Sequence, residues 1–165
     1  MNNLGNENIE IFAAVKREAE IFYNNITSVY CPYFKKNIIF NQKGFEHIKI
    51  KSLNQPRLIS DQYLRLKFLK LVPEVLELAN TLQEFREVKK KERIKLGTRW
   101  KSREQIIKYY GFVVIINNIR IKIVIKNINS GELFFWSVIP FWKTKKDELT
   151  GEIKKVFHEG DLEIQ

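Results

Sequence analysis

This sequence of 165 residues contains one cysteine, two histidines, one methionine, four prolines and seven glycines. A single cysteine, Cys31, excludes a disulfide scaffold and gives no reason to expect an oxidising compartment. With only His47 and His158, and with neither Cys-x-x-Cys nor His-Glu-x-x-His spacing, no zinc site is expected. The glycines are not clustered, so no phosphate loop or dinucleotide fingerprint occurs. No nucleophile elbow or kinase signature occurs either. Clustered carboxylates of the kind a metal-dependent nuclease needs are missing as well; Glu74 and Glu77 read as the solvent face of a helix. No cofactor or metal is therefore expected. No apolar run approaches the ~18 residues of a membrane span. The start, Met1 to Glu7, lacks the basic and apolar regions of a signal peptide. The expectation is a cytoplasmic protein with no membrane partner.

What is abundant is positive charge. The 29 Lys and Arg against 19 Asp and Glu leave a formal net charge of +10. Between Arg86 and Lys126 thirteen basic residues meet three acidic ones, so this stretch alone carries the whole excess. Lys89, Lys90, Lys91, Arg93, Arg99, Lys101, Arg103, Arg120, Lys122 and Lys126 belong to it, with Trp100, Tyr109 and Tyr110 interspersed. Such a run is either a solvated loop region or a phosphate-binding surface whose aromatics stack on bases; Tyr109 or Tyr110 could equally be core. A polyanion is the expected partner, with nucleic acid ahead of a membrane surface.

Apolar spacing predicts a helix over residues 7–25 capped by Asn6. A turn or extended connection around Pro32 and a short strand over 35–40 follow. Asn41 should cap a short helix with Phe45 and Ile48 inward and His47 off the apolar stripe. Ser60 should cap a helix ending before Pro73, which opens a second short helix reaching Ala79. The second half changes period. Residues 111–116 are continuously apolar, Ile119, Ile121, Ile123 and Ile125 alternate with mainly cationic positions, and a third strand spans 133–139. Asn117-Asn118 and Asn129-Ser130-Gly131 mark the turns. A fourth strand is expected within 84–96, separated from the other three by a basic loop over 97–103. The predicted fold is α+β: N-terminal helices packed on one face of an antiparallel meander of about four strands. The division expected is an N-terminal helix over 1–28, an α+β domain over 29–142 and a charged tail over 143–165 holding one loosely packed helix.

Chemistry without a metal remains open to RNA, which carries its own nucleophile in the ribose 2′-OH. Cleavage then needs a base, an acid and cations for the phosphate. His47 is the one imidazole outside the tail. Arg57, Arg65 and Lys67 follow within about twenty residues, and Ser137 is a hydroxyl inside an otherwise apolar strand. The order of Phe40, Lys43-Gly44-Phe45-Glu46-His47-Ile48, Arg57, Arg65 and Phe135-Trp136-Ser137-Val138 resembles the phage and toxin ribonucleases of the barnase–EndoU–colicin–RelE superfamily over residues 33–142. The resemblance implies a small metal-independent ribonuclease with its cleft on the sheet. His47 would be general base or acid, Arg57 and Arg65 phosphate ligands, and Ser137 an active-site hydroxyl. Lys49, Lys51, Tyr109 or Tyr110 could serve as proton-transfer groups in a ribosome-dependent member. RNA or the ribosome is the implied partner, with an acidic antitoxin or immunity protein as another. The alternatives to an endoribonuclease are a non-catalytic nucleic-acid- or ribosome-binding module and a toxin-like domain that docks an acidic protein.

Overall fold

The apolar three- and four-residue spacing of the first segment produces α1 (Asn3–Asn24), which begins before the expected Asn6 cap. The structure is a computed structural model describing residues 3–52, 54–140, 143–146, 153–156 and 161–164. Next come β1 (Ser28–Cys31) and β2 (Lys36–Ile39), an antiparallel pair across Pro32. In α2 (Gln42–Lys49), Asn41 Oδ1 accepts from the Gly44 amide at 3.1 Å, the expected cap. A short pair, β3 (Ile50–Ser52) and β4 (Gln55–Pro56), leads to α3 (Ile59–Phe68). Ser60 lies inside that helix rather than capping it; Leu58 precedes it, without a side-chain cap. A 3₁₀ turn over Leu69–Leu71 connects to α4 (Val72–Leu78), where Pro73 stands at the opening turn, whose amides need no helical partner.

The second half forms β5 (Glu84–Leu96), β6 (Arg99–Ile116), β7 (Ile119–Ile128) and β8 (Leu133–Pro140). Asn117 and Asn118 both adopt positive φ, as a two-residue I′ hairpin requires. The sheet order is β1-β2-β8-β7-β6-β5. It has six strands and is mixed, not an antiparallel meander of about four. The meander is present, but β2 joins β8 in parallel through Ile39↔Phe134 and brings β1 with it. The expected basic loop is not a loop: the chain turns at Gly97 (φ +62) and Thr98, and the cations lie on paired strands. In the tail, β9 (Lys143–Lys146) pairs with β10 (Ile153–Val156), and the described residues there include no helix.

One sheet face carries Phe112, Ile123, Ile125, Phe135 and Val138 against Ala19 and Tyr23 of α1, Phe45 and Ile48 of α2, Leu66 of α3 and Val72 and Leu76 of α4. The helices thus cover the isoleucine face, and α1 shares the main core. On the opposite face Ile107, Tyr109 and Val124 enclose Leu162, with Trp136, Ile139 and Ile164 around them. Gly44 fixes how α2 meets the sheet. A Cβ there would fall on the Phe135 carbonyl and within 2.9 Å of the Tyr23 hydroxyl, so only glycine lets the helix lie on β8.

Candidate active site

Beyond Phe134 the β2 side of β8 has no strand partner among the described residues, and α2 and α3 pack along it. A strand edge without a neighbour has carbonyls to satisfy. Arg65 of α3 supplies one donor: its Nη1 reaches the Val138 carbonyl at 3.2 Å and Ser137 Oγ at 2.9 Å. The pairing of β7 with β8 slips at this point. Val124 faces Ser137 while Ile125 faces Phe135, leaving Trp136 as the extra residue of a bulge. A bulge re-aims side chains, and here the adjacent Trp136 and Ser137 both reach Glu163, Trp136 at its carbonyl and Ser137 at its carboxylate.

Trp136 stacks on His47 with ring centroids 3.9 Å apart, and Lys126 Nζ stands 3.6 Å from the indole centroid. His47 is therefore not off the packed surface, as the helical stripe suggested. It is 5% exposed, because α2 has a second partner in the bulge. Arg57 closes the end of α2. Its backbone amide donates to the Lys49 carbonyl at 2.9 Å and its Nε to the His47 carbonyl at 3.1 Å, which satisfies groups a helix C-terminus leaves open. Asp61 sits 2.9 Å from Arg65 Nε and 3.6 Å from Arg57 Nη1.

These groups converge on the carboxylate of Glu163. Its Oε2 accepts from Arg57 Nη2 at 3.0 Å, Arg65 Nη1 at 3.0 Å and Ser137 Oγ at 2.7 Å; its Oε1 accepts from Arg65 Nη2 at 2.5 Å. His47 Nδ1 lies 3.6 Å from Oε2, beyond hydrogen-bond range, and neither ring nitrogen has a hydrogen-bond partner. Chain segments far apart in sequence thus bring the four residues singled out as catalytic around one carboxylate, with Arg57, Arg65 and Ser137 bonded to it and His47 beside it.

Its electrostatics follow from burial and pairing. Removal from water pushes the His47 imidazole down to about 4; Glu163 opposes that, while Arg57, Arg65 and Lys126 add to it. The ring is neutral at neutral pH. Burial acts against ionisation of Glu163 as well, but Arg65 and Arg57 outweigh it and hold the carboxyl below its ordinary range. Burial, with Lys90 and Lys43, brings Lys126 down to about 8.

No protein-family profile, curated protein or solved structure matches this chain at a significant level. Among the described residues no group of three or more His, Cys, Asp and Glu side chains could hold a metal ion, and no helix is long and apolar enough to cross a membrane. His158 lies outside the described residues.

The residues singled out as nucleic-acid contacts divide into two sets. Lys89, Lys90, Lys91, Arg93, Arg99, Lys101 and Arg103 are exposed on the β5–β6 hairpin, and Arg120 is exposed at the start of β7. Lys49 is half-buried against the Phe45 ring. Tyr109, Lys122 and Lys126 present no such surface. Tyr109 is core, Lys122 is 1% exposed with Nζ 2.7 Å from both Glu84 Oε2 and the Asp161 carbonyl, and Lys126 is buried against Trp136. Strand alternation put Lys122 and Lys126 on the cationic face correctly, but that face is covered rather than free, with Leu162 packed on it. Glu163, Trp136 and Asp61 were not among the expected site residues. Trp136 adjoins Ser137 and Asp61 precedes Arg65 by one helical turn, so both had a local signal. Glu163 had none, being one acid in a tail of mixed charge.

Proposed function

We propose that the site formed by His47, Arg57, Arg65 and Ser137 is the active site of a metal-independent RNA-cleaving enzyme. The observation that carries this reading is convergence. Two arginines and a hydroxyl donate to one buried anion, beside an imidazole whose two nitrogens are unengaged. In the proposed reaction the 2′-OH loses its proton to His47, its oxygen bonds to phosphorus, the bond from phosphorus to the 5′-oxygen breaks, and that oxygen takes a proton from water. Arg57 and Arg65 hold the non-bridging oxygens as their charge grows, the use to which forked guanidinium groups are suited. The product is a 2′,3′-cyclic phosphate. A neutral imidazole is the form that accepts a proton, although a group held near 4 is a weak base. Desolvation is the main cause of that depression, and Glu163 opposes it; the phosphate of a bound substrate would act on the ring in the same direction as Glu163.

The β5–β6 hairpin supports the choice of a nucleic acid. From Lys89↔Ile106 to Leu96↔Arg99 the two strands, among the described residues, have no strand partner but each other, since β7 joins β6 at Ile107. This ribbon of eight rungs, about 25 Å long, carries eight basic residues against Glu92 and Glu104, with Trp100 61% exposed near its turn. Both of its faces bear cations, the arrangement expected of an arm that follows a phosphate backbone.

The test is incubation of the purified chain with total RNA in EDTA. Fragments ending in 2′,3′-cyclic phosphate are expected, and His47→Ala should abolish them. Absence of cleavage by both the parent and Glu163→Gln, or equal rates with and without His47, overturns the reading. The exposed ribbon beside a closed site also fits a non-catalytic binding module, which would retain RNA intact with steep salt dependence.

A further inference from the structure

We propose that Glu163 is a built-in competitor for the anion site: the segment Asp161–Ile164 seats a carboxylate where a phosphodiester of the substrate binds, and the site becomes competent when that segment leaves. That the displaced ligand is a phosphodiester rests on the nuclease reading; that Glu163 occupies an anion receptor does not.

Charge supports the substitution. Arg57 and Arg65 are balanced by Asp61 and Glu163. Without Glu163 one positive charge is left uncovered, which is the charge of one phosphodiester. Shape supports it too, because a guanidinium fork accepts the paired oxygens of a carboxylate or a phosphate alike. Glu163 is badly placed to act as the proton acceptor in place of His47. Four donors already engage its two oxygens, and the arginines hold its carboxyl ionised. The imidazole beside it remains unsatisfied on both nitrogens, although buried polar atoms normally find partners. Glu163 fills the arginine half of the site and leaves the histidine half unmet. A ligand with an anionic phosphate and an adjoining hydroxyl would meet both.

The segment is fastened by a few separable contacts. Leu162 sits against Gly111, where a Cβ would come within 2.8 Å of the Leu162 side chain. The Asp161 carbonyl accepts from Lys122, and the Glu163 carbonyl accepts from the Trp136 indole at 3.3 Å. Glu163 itself takes φ +51, a left-handed conformation that disfavours a residue with a Cβ and so opposes docking. The fastening residues Lys122, Tyr109 and Trp136 are on the sheet, so the segment can lift without dismantling the helical core.

The experiment uses the full chain and the probe uridine 3′-monophosphate, titrated calorimetrically into the parent, Glu163→Gln and Leu162→Ala, with thermal unfolding as the check of folding. A site open a tenth of the time binds about tenfold more weakly than one always open. Both variants should therefore bind the probe at least about tenfold more tightly than the parent. Unchanged or weaker binding by folded variants overturns the proposal. Should Glu163→Gln fail to fold, Leu162→Ala, which leaves the site's own groups intact, decides alone. Tighter binding without RNA cleavage by any of the proteins upholds the competitor and removes the nuclease reading. Cleavage together with unchanged binding does the reverse.

Discussion

His47 shows how one side chain couples packing to pH. In the unfolded chain its imidazole titrates near 6.5, whereas burial against Trp136 brings it to about 4 in the fold. Between those values the unfolded chain binds a proton that the folded chain does not, so stability falls as pH drops. From pH 7 to pH 5 this costs about 2 kcal/mol. Of the charges facing the ring, Glu163 lessens the effect while Arg57, Arg65 and Lys126 enlarge it. Glu163's own depressed pKa withdraws stability only below the ordinary carboxylate range. Urea midpoints at the two pH values should show the difference, and His47→Phe, which keeps a ring on Trp136, should remove it. Glycines give a second contrast. Gly44→Ala forces a Cβ into the backbone of β8 and should destabilise by about 2–3 kcal/mol or prevent folding. At Gly97 nothing lies within 4 Å of the added Cβ, and only the positive φ is strained, so Gly97→Ala should cost about 1 kcal/mol. Denaturant titration of the two variants checks the order.

At the scale of elements the β5–β6 ribbon is set apart from the sheet that supports it. Its residues bury little, so replacing Lys89, Lys90 and Lys91 with Gln should change stability by no more than about 0.5 kcal/mol. The same change should weaken RNA binding and lower the slope of log affinity against log salt by up to about 2. Filter binding across a salt series measures both. Loss of stability without loss of binding would assign the lysines to the fold instead. Much of the element map was legible beforehand. Alternation of isoleucine with cations identified β7, Asn117-Asn118 its hairpin, and Asn41 the start of α2, because those signals act within a few residues. The parallel join of β2 to β8 has no local signature, since it depends on which sheet edge the helices leave open.

The whole molecule sets the order in which parts open. Ile123 and Ile125 lie at the centre of the sheet under the helices, while residues 161–164 are held on the opposite face by a small cluster and a few polar contacts. Amide hydrogen exchange should therefore be orders of magnitude faster at Leu162 and Glu163 than at Ile123 or Ile125, as expected where local opening costs less than global unfolding. Equal protection would make the segment part of the global folding unit.

By itself the sequence determined the helices, the meander, the charge sided on one stretch, and the identities of His47, Arg57, Arg65 and Ser137 as unusual polar residues. Periodicity, caps and turn chemistry act over short distances, so they can be read from neighbours. Tertiary structure alone decided that these four side chains meet at one carboxylate, that a bulge at Trp136 lets two adjacent residues reach Glu163, and that Lys122 and Lys126 are covered rather than free. The reason is sequence separation: Glu163 lies 98 residues from Arg65 and 106 from Arg57, and only packing of α2, α3 and residues 161–164 around β8 brings them within hydrogen-bond reach.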